Sequence, residues 1–420
     1  MIQPPRRSRR ILGKLLLVLI GFFFGGVVAE IALRLVGYSY PEFYTVDQLR
    51  GYALRPGAEG WYRKEGEAYI RINSDGLRDR EHSTTKPPNT IRIAVLGDSY
   101  PEALSVSQEE AFWSVMEGRL QECGAFAGKR VEVLNFGVSG YGTAQELLTL
   151  RDDVWKYSPD VVMLAMTTNN DIADNSRALK KTDEIPYFVY RDNQLTLDDS
   201  FKTSRSFVWR QSAISGAGRW LRDHSRFVQA IIQGHHALKI RLASWRAVES
   251  PNAKPEPSPP VAQEQATQRQ DQLSSSDELG IDNLIYLEPG NAEWNNAWRV
   301  TEGLITLMHD EVKTRGAQFV VVTLSNGIQV VPNPHVREAF EKRLGITDIF
   351  SPDNRIKSAC TREGIPVITL APELQKSAVS SNTFLHGFGE NIGNGHWNPA
   401  GHRKAGELIA KKLCEDVLSK

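Results

Sequence analysis

The chain has 420 residues, 50 basic and 50 acidic, and 41% of them are hydrophobic. That balance excludes a chain disordered throughout and gives no global basic signal for nucleic acid, and the length exceeds that of a usual single core. Three cysteines, Cys123, Cys360 and Cys414, are too few and too scattered for a disulfide framework or a metal site, although a Cys360–Cys414 bridge is open to the chain outside the cytoplasm.

Residues 1–10 form a basic N-terminus, with "PPRRSRR" standing before an apolar run. Leu15 to Ala29 carries no charge. Residues 11–36 supply the roughly 20 residues of a spanning helix, with Lys14, Glu30 and Arg34 at its two interfaces. The basic cluster predicts a cytoplasmic N-terminus, with the remaining chain in the periplasm or another extracytoplasmic space. A cleaved secretory signal is the competing reading, because Val27 and Ala29 are small enough for a cleavage site; on length, an uncleaved signal anchor is preferred.

Residues 38–89 are rich in Gly, Pro and Tyr, with "AYIRIN" alternating like a strand and "NSDG" reading as a turn, so a small β-rich lead-in is expected. The core follows over 90–420. Five short apolar runs read as strands: "IRIAVLGDS", "VEVLNFG", "DVVMLAM", "AQFVVVTLS" and "IPVITLA". Helices separate them. One is "SQEEAFWSVMEGRLQ", with Ser107 and Glu110 as a capping box; another is "TAQELLTLRDDVWKY", with Thr143 and Glu146 as its capping pair. "NAEWNNAWRVTEGLITLMHDEVKTRG" reads as a long helix, and the last helix starts after Asn398 with Pro399 in its first turn. Alternation of this kind means α/β, with a mainly parallel five-stranded sheet covered on both faces. Between the third and fourth strands lies an insertion, 174–290, whose first part reads as helical and basic. Its basic face could meet anionic lipid or glycan, but a solvated helix face is the simpler reading. About 250–279 is Pro-, Gln- and Ser-rich and is expected to be disordered.

Functional groups of such sheets gather beyond the carboxyl ends of the strands. The first strand ends at Gly97-Asp98-Ser99, the second leads to "NFGVSGYG" with Gly140, and the third leads to Asn169-Asn170-Asp171. "GHWNPAGH" brings His396 to the start of the last helix. A serine, a histidine and hydrogen-bond donors are the set that acyl transfer needs. Serine is a weak nucleophile until a base takes its proton, and the tetrahedral oxyanion needs preorganised donors. The N–H groups of Ser99 and Gly140 and the amide of Asn170 (or of Asn169) are the candidate donors. Ser139 is a weaker candidate nucleophile, because no G-x-S-x-G elbow surrounds it.

In this order the blocks "GDSY", "GVSG", "NND" and "GHWNPAGH" resemble the SGNH (GDSL-type) hydrolase family, over roughly 91–171 and 317–413. The resemblance implies a flavodoxin-like three-layer α/β/α sandwich. It implies Ser99 as nucleophile, His396 as base, and Ser99, Gly140 and Asn170 as the oxyanion hole. It also implies acyl chemistry on lipids, thioesters or acetylated sugars, usually without a metal or other cofactor. The anchor and β-rich lead-in resemble bacterial envelope members that act on acylated glycans.

His396 precedes the helix and matches the family's histidine; His402, inside the helix, reads as capping or packing, and His386 as part of the same wall. The family has an aspartate three residues before this histidine, where this chain has Gly393. Asn394 is the nearest polar substitute. A backbone carbonyl holding Nδ1–H, giving a Ser–His dyad, is the preferred solution, with a remote carboxylate such as Glu390 as another. Asp98 and Asp171 are further suspects, Asp98 reading rather as a tie for the serine loop. The functional expectation is a serine esterase that removes small acyl groups, such as acetate, from an envelope polysaccharide, other acylated glycan or small ester. The alternatives are an O-acyltransferase on a cell-surface glycan and a non-catalytic glycan- or partner-binding module.

Overall fold

A computed structural model describes residues 6–126, 128–249 and 281–417. The stretch expected to be disordered, about 250–279, lies outside the described residues. The chain forms two compact units, one of 1–42 with 211–261 and one of 43–210 with 262–420. This division differs from the sequence boundaries: the lead-in from Phe43 onward belongs with the α/β core, and the helical insertion from Gln211 belongs with the N-terminal helix.

The larger unit starts with two antiparallel hairpins. β1 (Tyr44–Asp47) pairs with β2 (Gly51–Leu54), and β3 (Glu59–Tyr62) pairs with β4 (Ala68–Arg71). The Asn73 side chain closes the turn after β4 by accepting from the N–H groups of Asp75 and Leu77.

Next come β5 (Thr90–Gly97), β6 (Arg130–Asn135) and β7 (Val161–Thr167). β8 (Tyr187–Arg191) and β9 (Gln194–Asp198) form a hairpin inside the insertion, turning through left-handed Asp192 and Asn193. That hairpin is absent from the sequence reading. β10 (Gln318–Leu324) and β11 (Val367–Thr369) complete the strands among the described residues. The central sheet is all parallel, in the order β11-β10-β7-β5-β6. Counted along the sheet's own strands this is 2-1-3-4-5, the flavodoxin-like winding, with its switch point beside β5.

Alternate strand residues feed two cores, as the pleat dictates. Ala94, Leu96, Val162, Leu164 and Val321 pack under helices Thr143–Asp152 and Ala292–Thr314. Ile93, Val95, Met163, Val320 and Val322 pack under Phe112–Gln121 and Pro399–Lys412. The result is a three-layer α/β/α sandwich, as the resemblance implied.

Two capping expectations shift. Ser107 and Glu110 do bond one another, but in a turn, and the helix begins only at Phe112. Helix Thr143–Asp152 is capped by Gln145 reaching back to the Gly142 N–H, while Glu146 is buried with no hydrogen-bond partner among the described residues for either carboxylate oxygen. The disulfide also differs: Cys123 pairs with Cys414 across a Cα separation of 6.1 Å, and Cys360 is buried and free. The observed bridge fastens the end of the helix after the serine to the end of the helix after the histidine.

The smaller unit contains helix Arg6–Leu35, of which Gly13–Leu35 is long and apolar enough to cross a membrane. It also contains Ala213–His224 and Arg226–Glu249.

Candidate active site

Ser99 opens a four-residue helix directly beyond β5, with Asp98 as its cap. Asp98 is fully buried, and its carboxylate accepts from the Tyr100 N–H, the Thr167 hydroxyl and the Asn170 amide. It therefore ties the ends of β5 and β7 together, which matches its expected role.

His396 reaches the same edge from the loop before the last helix. Its Nε2 lies 2.7 Å from Ser99 Oγ, whereas Asp98 Oδ2 is 3.5 Å away, so the serine hydroxyl belongs to the histidine. The other two histidines are structural. His402 is buried and accepts from the Phe112 N–H, and burial pushes it down to about 3. His386 is buried between Ser325 and the Gly395 carbonyl, and burial pushes it down to about 4. Trp397 donates to Ser325 within the wall, and Asn398 caps the last helix by accepting from Ala400 and Gly401.

The expectation for Nδ1 is corrected. Neither Asn394, nor Glu390, nor a backbone carbonyl holds it: Glu65 does. This carboxylate comes from the tip of the β3–β4 hairpin, where Oε2 bonds His396 Nδ1 and Oε1 accepts the His396 backbone N–H at 2.8 Å. Asn394 and Glu390 are exposed instead. Two glycines make this possible. Gly395 has φ +80°, and a Cβ there would stand 2.1 Å from Glu65 Oε1, so only glycine lets the carboxylate in. Gly393, where the family has aspartate, has φ +93°, a conformation that aspartate adopts only with strain.

The electrostatics follow from this contact. Burial lowers the His396 pKa, but the hydrogen bond and charge of Glu65 outweigh it and hold the imidazole above its ordinary value. Burial raises Glu65, and His396 more than reverses that, leaving the carboxyl below its usual range. The buried carboxyls of Glu146 and Asp171 are raised well above their ordinary values, first by burial and then by the charge of Asp98.

Gly140 lies beyond β6 with φ +75°. Its loop is fastened to the serine turn by the Val138 N–H donating to Gly97 and by the Ser139 hydroxyl donating to Glu102. Ser139 is thus committed to a buried carboxylate. Burial pushes Glu102 up to about 7, against the hydrogen bonds from Ser139 and Tyr44. Among the described residues, the N–H groups of Ser99 and Gly140 have no hydrogen-bond acceptor. Asn170, rather than Asn169, donates to Asp98 beside the serine.

No family model and no curated protein matches the chain. Among solved structures it is similar to the acetyl xylan esterase AlAXEase, at 14% identity and a TM-score of 0.35, covering 77% of this chain and 98% of that one. It is similar to Axe2, an acetylxylan esterase from Geobacillus stearothermophilus, at 10% and 0.36, covering 77% and 94%. It is also similar to LAE5, an alpha/beta hydrolase enzyme from the metagenome of Lake Arreo, Spain, at 10% and 0.35, covering 80% and 99%.

Proposed function

We propose that the protein is a serine ester hydrolase of the SGNH type, anchored in a membrane and acting outside the cytoplasm on acetylated glycan. The relay of Ser99 Oγ, His396 and Glu65 is the observation that carries this reading. His396 Nε2 takes the Ser99 proton as Oγ attacks the ester carbonyl. The oxyanion is held by the N–H groups of Ser99 and Gly140 and by the Asn170 amide. Collapse expels the alcohol, which takes the proton from Nε2, and leaves an acyl-serine. Water then adds to the acyl carbon and gives its proton to Nε2. The second collapse releases the acid and returns the proton to Ser99. Glu65 keeps the tautomer with the proton on Nδ1 and stabilises the imidazolium.

A fluorophosphonate probe tests the nucleophile. The expected result is one phosphonyl group per chain on the peptide holding Ser99, with parallel loss of acetate release from a chromogenic ester. Labelling elsewhere, or none on folded protein, overturns the reading.

A sugar substrate is supported by the hairpin that delivers Glu65. Trp61 and Tyr69 are paired across β3 and β4 and meet edge to face, with ring centroids 5.5 Å apart, the Arg63 guanidinium over the Trp61 ring and Tyr69 exposed. Aromatic faces of this kind stack against the C–H faces of sugar rings. Trp61→Ala is expected to raise KM for an acetylated xylo- or glucosamine-oligosaccharide about tenfold, the worth of a contact of about 1.4 kcal/mol. KM for the small chromogenic acetate should stay within twofold. Equal effects on both substrates would remove the sugar role.

A further inference from the structure

Helices of globular units turn apolar residues inward. The two helices Ala213–His224 and Arg226–Glu249 do the reverse. On the first, Ile214, Ala217 and Leu221 recur at i, i+3 and i+7 with Trp220 beside them, and all four are exposed, Ile214 by 71% and Trp220 by 61%. The charged face of the same helix, with Arg219, Arg222 and Asp223, is half-buried. On the second, Phe227, Ile231 and Leu238 form an exposed stripe at i, i+4 and i+11. Among its described side chains the buried one is Gln229, 1% exposed, which bonds the Tyr40 N–H and the Arg222 carbonyl. Polar groups inside and apolar groups outside is the arrangement that lipid selects.

Both helices are clamped to the end of the N-terminal span. The Glu30 carboxylate accepts from the N–H groups of Arg226 and Phe227 and from the Ser225 hydroxyl, capping the N-terminus of the second helix. Arg34 donates to the His224 carbonyl, capping the C-terminus of the first. Each charge sits at the helix end whose dipole favours it. One turn deeper, the Phe227 ring covers Gly26, where a Cβ would meet it at 3.6 Å. Lys14 and Glu30 are 16 residues apart, about 24 Å along a helix, close to the roughly 30 Å of a bilayer's hydrocarbon core. The clamp therefore falls at the bilayer surface. Residues 211–249 also carry six Lys and Arg against Asp223 and Glu249, the charge that anionic headgroups attract.

We propose that Ala213–His224 and Arg226–Glu249 lie in the headgroup–acyl boundary of an anionic bilayer, as a second membrane contact locked to the span by Glu30 and Arg34. The inference rests on the span being retained as an anchor, and the experiment separates the two. Full-length protein with Cys360→Ala is reconstituted in phosphatidylcholine–phosphatidylglycerol vesicles. It carries one spin label at a time, through Ile214→Cys, Leu221→Cys, Ile231→Cys, or Val18→Cys in the middle of the span. The label's collision rate with oxygen is compared with that of a water-soluble nickel chelate. The expected result is a several-fold excess of oxygen over nickel at 214, 221 and 231, intermediate between Val18 and water. Water-like values at the three positions with a lipid-like Val18 overturn the proposal and leave the anchor standing. Shielding of the three from both reagents means that a protein surface, a second copy included, covers them, and also overturns it. Loss of the Val18 label from the vesicles removes the anchor and the proposal together.

Discussion

Ser99→Ala is expected to lower kcat for ester hydrolysis on the order of 10⁴- to 10⁶-fold, and His396→Ala by a similar factor. The reason is geometric. The serine hydroxyl has one base within reach, at 2.7 Å, so removing either partner removes the whole proton transfer. The two act as a unit, and the double variant should be no worse than either single one. What survives is the turnover that the oxyanion donors supply by holding a carbonyl for attack by water. His402→Gln is the matched control. It replaces the ring nitrogen that accepts from the Phe112 N–H by a longer, more mobile amide in the core and costs on the order of 1–3 kcal/mol of stability where that bond is not remade, but it leaves kcat of the folded protein within threefold. Steady-state kinetics beside thermal melts separate the two kinds of loss. A Ser99→Ala protein that retains more than a tenth of wild-type kcat would mean that another group attacks the ester.

The strands were legible because a parallel sheet covered on both faces leaves uninterrupted apolar runs. β10 and β11 lie within the runs that announced them, and β5, β6 and β7 each overstep theirs by a single residue at one end. The meeting of Ser99 with His396 was legible for a related reason: strand ends and helix starts come together at one edge of such a sheet. The preference for His396 over His402 came from its place before the helix, and burial of His402 accounts for the rest.

Glu65 was not legible. It is 331 residues from the histidine it orients, and "RKEGE" at a hairpin tip has the look of an ordinary solvated turn. The one trace in the sequence was negative: a glycine where an aspartate belongs, followed by a second glycine that clears space for a carboxylate arriving from elsewhere. The β8–β9 hairpin did carry a signal, the alternation of "YFVYRDNQLTL" around Asp-Asn, but its place inside an insertion hid it. The Thr143–Glu146 pattern misled because a capping box and a buried carboxyl under an active site share the same spacing.

Glu65→Gln is expected to lower kcat/KM by about 10²- to 10⁴-fold on the high-pH plateau, the range spanned when the carboxylate of a Ser–His–acid triad becomes an amide. The direction on pH is independent of that magnitude. Hydrolysis requires neutral His396, and Glu65 holds its pKa above 6.5, so the acid limb of wild-type kcat/KM lies above that value. The amide carries no charge to favour the imidazolium, while the burial that opposes it remains, so the limb should move to lower pH in the variant. The rate at pH 5 relative to its own plateau therefore rises even as the plateau falls. Glu65→Asp keeps the charge but retracts it by one methylene; it should restore part of the rate and return the limb toward wild type. A carboxylate that only fastened the hairpin to the sheet edge would give a lower Tm in both variants with the limb unmoved. The pH profile, rather than the loss of rate, is thus the measurement that makes Glu65 the positioning residue of the site.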